Sequence, residues 1–84
     1  MTADSPEAIL HRKLLQSEIR AAIDALPEAF REVIVLREIE NLSYAEIAVI
    51  VNCPTGTVMS RIARGRDQLR HLLARIAPTR EVKR

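Results

Sequence analysis

The chain is poor in the residues that support covalent chemistry, disulfides and metal binding. It has 84 residues and a single cysteine, Cys53, so no intramolecular disulfide is possible and no cysteine cluster can hold zinc. This suits a reducing compartment, and Cys53 reads as a small apolar turn residue. Phe30 and Tyr44 are the only aromatics, so the core must be aliphatic. Only two glycines occur, and no Gly-rich phosphate loop can be assembled from Gly56 and Gly65. No apolar run approaches the ~20 residues of a membrane span, and no secretory signal opens the chain. His11 and His71 are far apart and have no Cys or His neighbours, so no metal site is expected. The carboxylates suggest no acid/base pair. These absences argue against an enzyme and against a cofactor.

What the chain does have is helix. Apolar residues make up 48%, and Ala, Leu, Ile, Arg and Glu dominate long stretches. A single all-α domain is expected from the length and this composition. Charge is unevenly distributed. Residues 1–42 carry five cations against eight carboxylates, whereas residues 43–84 carry eight against three. A basic end that meets a polyanion and an acidic end that meets something else is the simplest implication.

Local signals divide the chain into four helices. Ser5 is an N-cap and Pro6 a first helical residue. The first helix is expected over 5–25, with Leu15, Ile19, Ala22, Ile23 and Leu26 as its buried stripe. Pro27 starts a second helix that runs to about Glu40. Its inward residues are Phe30, Val33 and Leu36, with either Ile34 or Ile39. Asn41 breaks it, and Leu42 packs under the turn. Ser43 and Glu46 form an S-x-x-E capping box, so a third helix starts at Tyr44 and runs to Val51. Asn52 closes it in the left-handed conformation. Pro54 prevents continuation, Thr55 is the expected cap, and a fourth helix runs from about Gly56 to Ile76. Residues 1–5 are expected to be a flexible lead-in, 6–76 the domain, and 77–84 a flexible basic tail.

The segment from about 43 to 64 has the layout of a helix-turn-helix, which places its second helix in the DNA major groove. On a helical wheel of the fourth helix, Val58, Ile62, Gly65, Leu69, Leu72, Leu73 and Ile76 share one side. Gly56, Thr57, Ser60, Ala63, Arg64 and Asp67 lie opposite, with Met59 and Arg61 on the flanks. Small and hydrogen-bonding residues at the helix start permit groove entry. Arginine grips guanine or phosphate, and Ser and Thr reach either.

Three runs in fixed order carry a family resemblance. They are LP-x-x-x-R-E-V from Leu26 to Val33, L-S-Y-x-E-I-A from Leu42 to Ala48, and G-T-V-x-S-R from Gly56 to Arg61. Together they resemble region 4 of bacterial RNA polymerase sigma factors, most closely the extracytoplasmic-function group. Residues 5–25 resemble that region's leading helix. The resemblance implies sequence-specific binding to the upstream core-promoter element, with docking on the β flap of RNA polymerase core to direct transcription initiation. It also implies a cytoplasmic protein and an anti-sigma partner. Promoter-melting region 2 is absent from these 84 residues. The chain therefore resembles a fragment of a sigma factor, expected to bind promoter DNA weakly on its own.

Carried over position by position, the resemblance makes Thr57, Ser60, Arg61 and Arg64 recognition-helix contacts to bases or phosphates. It puts Arg37, Ser43 and Tyr44 near the DNA backbone. Met59 stands at a DNA-facing position where the family usually has Lys or Arg. Ala45 and Val49 stand where charged residues are common. An apolar patch of Ile34, Val35, Val49 and Ile50 is therefore expected to bind a protein partner. Two other readings compete: the DNA-binding domain of a LuxR-type regulator, which would dimerise on palindromic sites, and an interaction module bound by an anti-sigma factor.

Overall fold

The first helix starts where the capping chemistry sets it. Ser5 is extended (ψ 152°), and its hydroxyl accepts from the Ala8 amide at 3.1 Å, with Pro6 in the first turn. The computed structural model describes residues 5–76, together with every side chain in that range except that of Ile76. Residues 1–4 of the expected lead-in, the tail over 77–84 and the inward placement of Ile76 lie outside what it describes; Ser5, the last residue of the expected lead-in, is held as the helix cap.

Four α-helices, and no strand among the described residues, make an all-α domain. Helix α1 spans Pro6–Asp24. Its end is closed partly from outside the helix: the Arg31 guanidinium donates to the carbonyls of Asp24 at 3.1 Å and Leu26 at 3.0 Å. Pro27 then caps α2, Glu28–Ile34, its carbonyl accepting from Phe30 and Arg31.

The second helix does not stay α-helical to Glu40. It widens into a π-helical turn over Val35–Ile39, with the Glu40 amide reaching back to the Val35 carbonyl at 3.0 Å. Asn41 takes φ 60°, and Leu42 donates to Leu36 at 3.0 Å. Asn tolerates this left-handed geometry better than most residues. Of the two candidate inward residues, Ile34 is fully buried, while Ile39 is carried outward and is 61% exposed.

Helix α3, Tyr44–Val51, has both halves of the capping box: Glu46 N–H to Ser43 Oγ at 3.1 Å, and Ser43 N–H to Glu46 Oε1 at 2.8 Å. Asn52 ends it at φ 59°, ψ 50°. Helix α4, Thr55–Ile76, begins one residue earlier than expected. The Pro54 carbonyl accepts from Thr57 and Val58 at 3.0 and 3.1 Å, so Pro54 holds the cap position and Thr55 is already helical. A cap residue is the one whose carbonyl takes the first intrahelical bond, and here that is the proline.

Ile23, Leu26, Val33, Ile34, Ile47, Val58 and Ile62 form the core, with Leu36, Leu42, Val51, Leu69 and Leu72 packed around it. It is aliphatic, as two aromatics require. Each fully buried Ile contributes roughly 1.5–3 kcal/mol through removal from water. The α1 stripe is narrower than its periodicity suggests. Ala22, Ile23 and Leu26 are buried, but Leu15 is only half-buried, and Ile19 is exposed on the wall of a groove that also holds Val35 and Ile39. Helix α4 packs against α1, α2 and α3, so it is the central support of the domain.

Candidate nucleic-acid interface

The turn Asn52–Pro54 delivers α3 into α4, and both helices are anchored from beneath by Ile47, Val58 and Ile62. This fixes which side of α4 faces out. Val58, Ile62 and Gly65 are buried; Gly56, Ser60, Ala63, Arg64 and Asp67 are exposed. Thr57 and Arg61 are half-buried at the edge, and Met59 is half-exposed on the other flank. The four residues read from the sequence as recognition-helix contacts, and Met59 with them, therefore sit on the first three turns of one helix.

Some arginines are engaged within the chain; others, Arg12, Arg20 and Arg75 among them, have no partner among the described residues. Arg31 closes α1, Arg66 binds Glu38 through Nε at 2.8 Å and through Nη2, and Arg70 binds Asp67 at 2.6 Å. Arg61 and Arg64 have no hydrogen bond or ion pair among the described residues. Asp67 follows Arg64 by one turn, but its carboxylate is engaged by Arg70 and lies 3.9 Å from the His71 ring nitrogen. The first turn of α4 carries no acidic residue. Its N-terminus presents the positive end of the helix dipole and free amides, a setting that favours phosphate.

A second cluster lies at the start of α3. The Arg37 guanidinium donates to the Leu42 carbonyl at 2.8 Å and lies over the Tyr44 ring, 4.7 Å from its centroid. Ser43 is held by the capping box, whose backbone and side-chain hydrogen bonds keep the Glu46 carboxyl below its usual range. The structure thus brings Arg37, Ser43 and Tyr44 together. Arg37 has a structural task that its sequence position did not reveal: it braces the turn that starts the helix-turn-helix. An arginine has five donors, so one such bond leaves others available.

The four-residue apolar patch does not exist as a unit. Ile34 is 0% exposed, because the Gly65 backbone of α4 closes over it, and it presents nothing to a partner. Val35 is half-buried in a groove with Ile19, Ile23 and Ile39, between α1 and the π-helical turn. Val49, 81% exposed, lines a shallow hollow beside the Asn52–Thr55 turn, and Ile50 is exposed next to it. Sequence periodicity missed the groove because its walls come from two successive helices, and a helical period does not show how neighbours pack. Among the described residues no His/Cys/Asp/Glu group has metal-site geometry, and no helix is long and apolar enough to cross a membrane.

Residues 16–69 match the family described as Sigma-70, region 4. The chain belongs to the sigma-70 region 4 family. It is 49% identical over 71 residues to the ECF RNA polymerase sigma factor SigE of Mycolicibacterium smegmatis, covering 84% of this chain and 28% of that protein. It is 45% identical over 65 residues to the ECF RNA polymerase sigma-E factor of Escherichia coli, covering 77% and 34%. It is 42% identical over 66 residues to the RNA polymerase sigma-H factor of Pseudomonas aeruginosa, covering 79% and 34%. The chain thus spans about a third of the length of these curated relatives. The region 4 match begins within α1 and ends within α4, so it includes α3, the turn, the first four turns of α4 and both clusters described above.

Proposed function

We propose that this region 4 chain recognises the upstream core-promoter element of DNA by laying the first turns of α4 in the major groove, as part of a sigma factor that docks on RNA polymerase core and directs initiation. One observation carries the reading. Arg61 and Arg64 are left without partners on a face kept small by Gly56, Ser60 and Ala63, on the second helix of a helix-turn-helix. The names of relatives 42–49% identical support it. The region 4 match disfavours the LuxR-type alternative. In this reading the chain is a binding module without catalysis, and it works in the cytoplasm where its polymerase is. Thr57, Ser60, Arg61 and Arg64 meet bases or phosphates, and Arg37, Ser43 and Tyr44 lie along the DNA backbone.

Arg64→Ala should weaken binding by about 1–3 kcal/mol, concentrated at one base position if the contact is bidentate. Arg66→Ala, which breaks only the pairing with Glu38, should leave DNA affinity close to wild type. Anisotropy titrations against single-base promoter variants measure both. Unchanged affinity in Arg64→Ala across the set would remove this face from the interface.

Protein docking, on the β flap or an anti-sigma factor, is proposed for the exposed apolar residues. Val49 and Ile50 offer one surface on α3. Ile39 offers the other, at the rim of the groove that holds Val35. Both Val49 and Ile39 are well exposed, so Val49→Glu and Ile39→Glu should keep the fold, with melting within about 0.5 kcal/mol of wild type. Pull-down with the isolated flap and with a co-encoded anti-sigma factor then assigns the surface by which variant loses the partner. Retention by both variants would remove docking from either place.

A further inference from the structure

The exposed start of α4 is divided into two strips. At 100° per residue, Thr57, Ser60, Arg61 and Arg64 run along one side, and Gly56, Met59 and Ala63 along the other. The first strip is polar and holds Arg61 and Arg64, which have no partner among the described residues. The second is apolar, and the cations that continue it along the helix, Arg66 and Arg70, are already held by Glu38 and Asp67.

Two residues of the apolar strip have no task in the fold. Met59 is 50% exposed and contributes nothing to the core. A Cβ at Gly56 would meet nothing within 4 Å, and its backbone φ is not positive. Neither packing nor conformation requires glycine there, yet glycine weakens a helix relative to alanine. The fold therefore accepts a penalty that leaves open space directly beside an exposed methionine.

We propose that Met59, with Gly56 and Ala63 beside it, reads the 5-methyl group of thymine. The inference rests on the DNA-binding reading above and specifies it. A cation at position 59 would take phosphate or guanine. Methionine has no donor and only a weakly accepting sulfur, so it can do neither. The major groove displays one apolar group, the thymine methyl, and apolar side chains contact it. An unbranched, polarizable thioether fits such a contact, and a neighbouring glycine lets the DNA come close.

The test uses the 84-residue chain and a duplex pool randomised across one helical turn. Bound duplexes are sequenced, and the enriched site is resynthesised with deoxyuridine replacing thymine one position at a time. Thymine should be fixed in at least one position. Loss of its methyl there should weaken binding roughly fourfold, the factor expected for one buried methyl group. Met59→Leu should retain the discrimination and Met59→Ala should abolish it. Met59→Lys should abolish it and steepen the salt dependence by about one unit of log–log slope. Equal binding of thymine and deoxyuridine duplexes by the unmutated chain overturns the assignment, as does discrimination that survives in Met59→Ala. Failure to enrich any sequence would overturn the DNA reading itself. Enrichment of a site insensitive to methyl loss would overturn this assignment alone.

Discussion

Both glycines of the chain lie on α4, and their surroundings are opposite. A Cβ at Gly65 would lie 2.8 Å from Ile34 Cγ1, 3.1 Å from Ile34 Cδ1 and 3.5 Å from Phe30 Cβ. Ile34 is fully buried, so it has little room to retreat. A Cβ at Gly56 would meet nothing. The first glycine is explained by the fold and the second is not. The arginines repeat the contrast. Arg66 and Arg70 are satisfied within the chain, whereas Arg61 and Arg64, like Arg75 in the last turn, have no partner among the described residues. What the inner face of α4 lacks, another helix supplies. What the outer face lacks is not supplied by the described residues, and this asymmetry supports the proposed interface.

The inner side of the comparison breaks with the larger effect. Gly65→Ala forces Ile34 or Phe30 to move, and overpacking of this kind costs about 1–3 kcal/mol. The better helix propensity of alanine offsets about 1 kcal/mol of that. A net loss of up to about 2 kcal/mol remains, and a domain of this size melts roughly 4–8 °C lower per kcal/mol. Thermal unfolding followed by circular dichroism measures it. A melting temperature equal to or above wild type would show that the α2–α4 contact is looser than the 2.8 Å approach implies.

What the sequence disclosed, and what it hid, follows the same division between local and non-local causes. The capping box at Ser43, the left-handed Asn52 and the helix break at Pro27 are set by neighbours within a few residues, so they were legible. The aliphatic core and the outward face of α4 were legible too, because a helical period needs no partner to be seen. The π-helical turn was not, since α and π continuation share the same residues and differ in how Val35 and Leu36 meet Glu40 and Leu42. The burial of Ile34 was misread as part of a docking patch because its cover, Gly65, arrives from another helix. The pairing of Arg66 with Glu38, 28 residues away, was hidden for the same reason. Of the candidate interface, the outward placement of its residues on α4 was readable, but the distinction between satisfied and unsatisfied arginines was not.

The outer side of the comparison is sharpened by the smaller change, Gly56→Ala. The added methyl enters open space in a helical backbone, so nothing in the fold opposes it. Alanine restricts the unfolded chain and favours the helix, a stabilisation of about 0.4–1 kcal/mol. The variant should therefore melt a few degrees higher than the wild type, opposite in sign to Gly65→Ala on the same helix. Its DNA affinity should fall, because the methyl occupies the space through which a groove wall approaches. Stability and binding moving in opposite directions would show that glycine is kept at position 56 for the interface. If the variant instead melted lower, Gly56 would be structural and the contrast between the two glycines would fail. If it melted higher with unchanged affinity for promoter DNA, the first turn of α4 would stand clear of the groove, leaving Ser60 and Arg64, one and two turns further on, as the first residues deep enough to read bases.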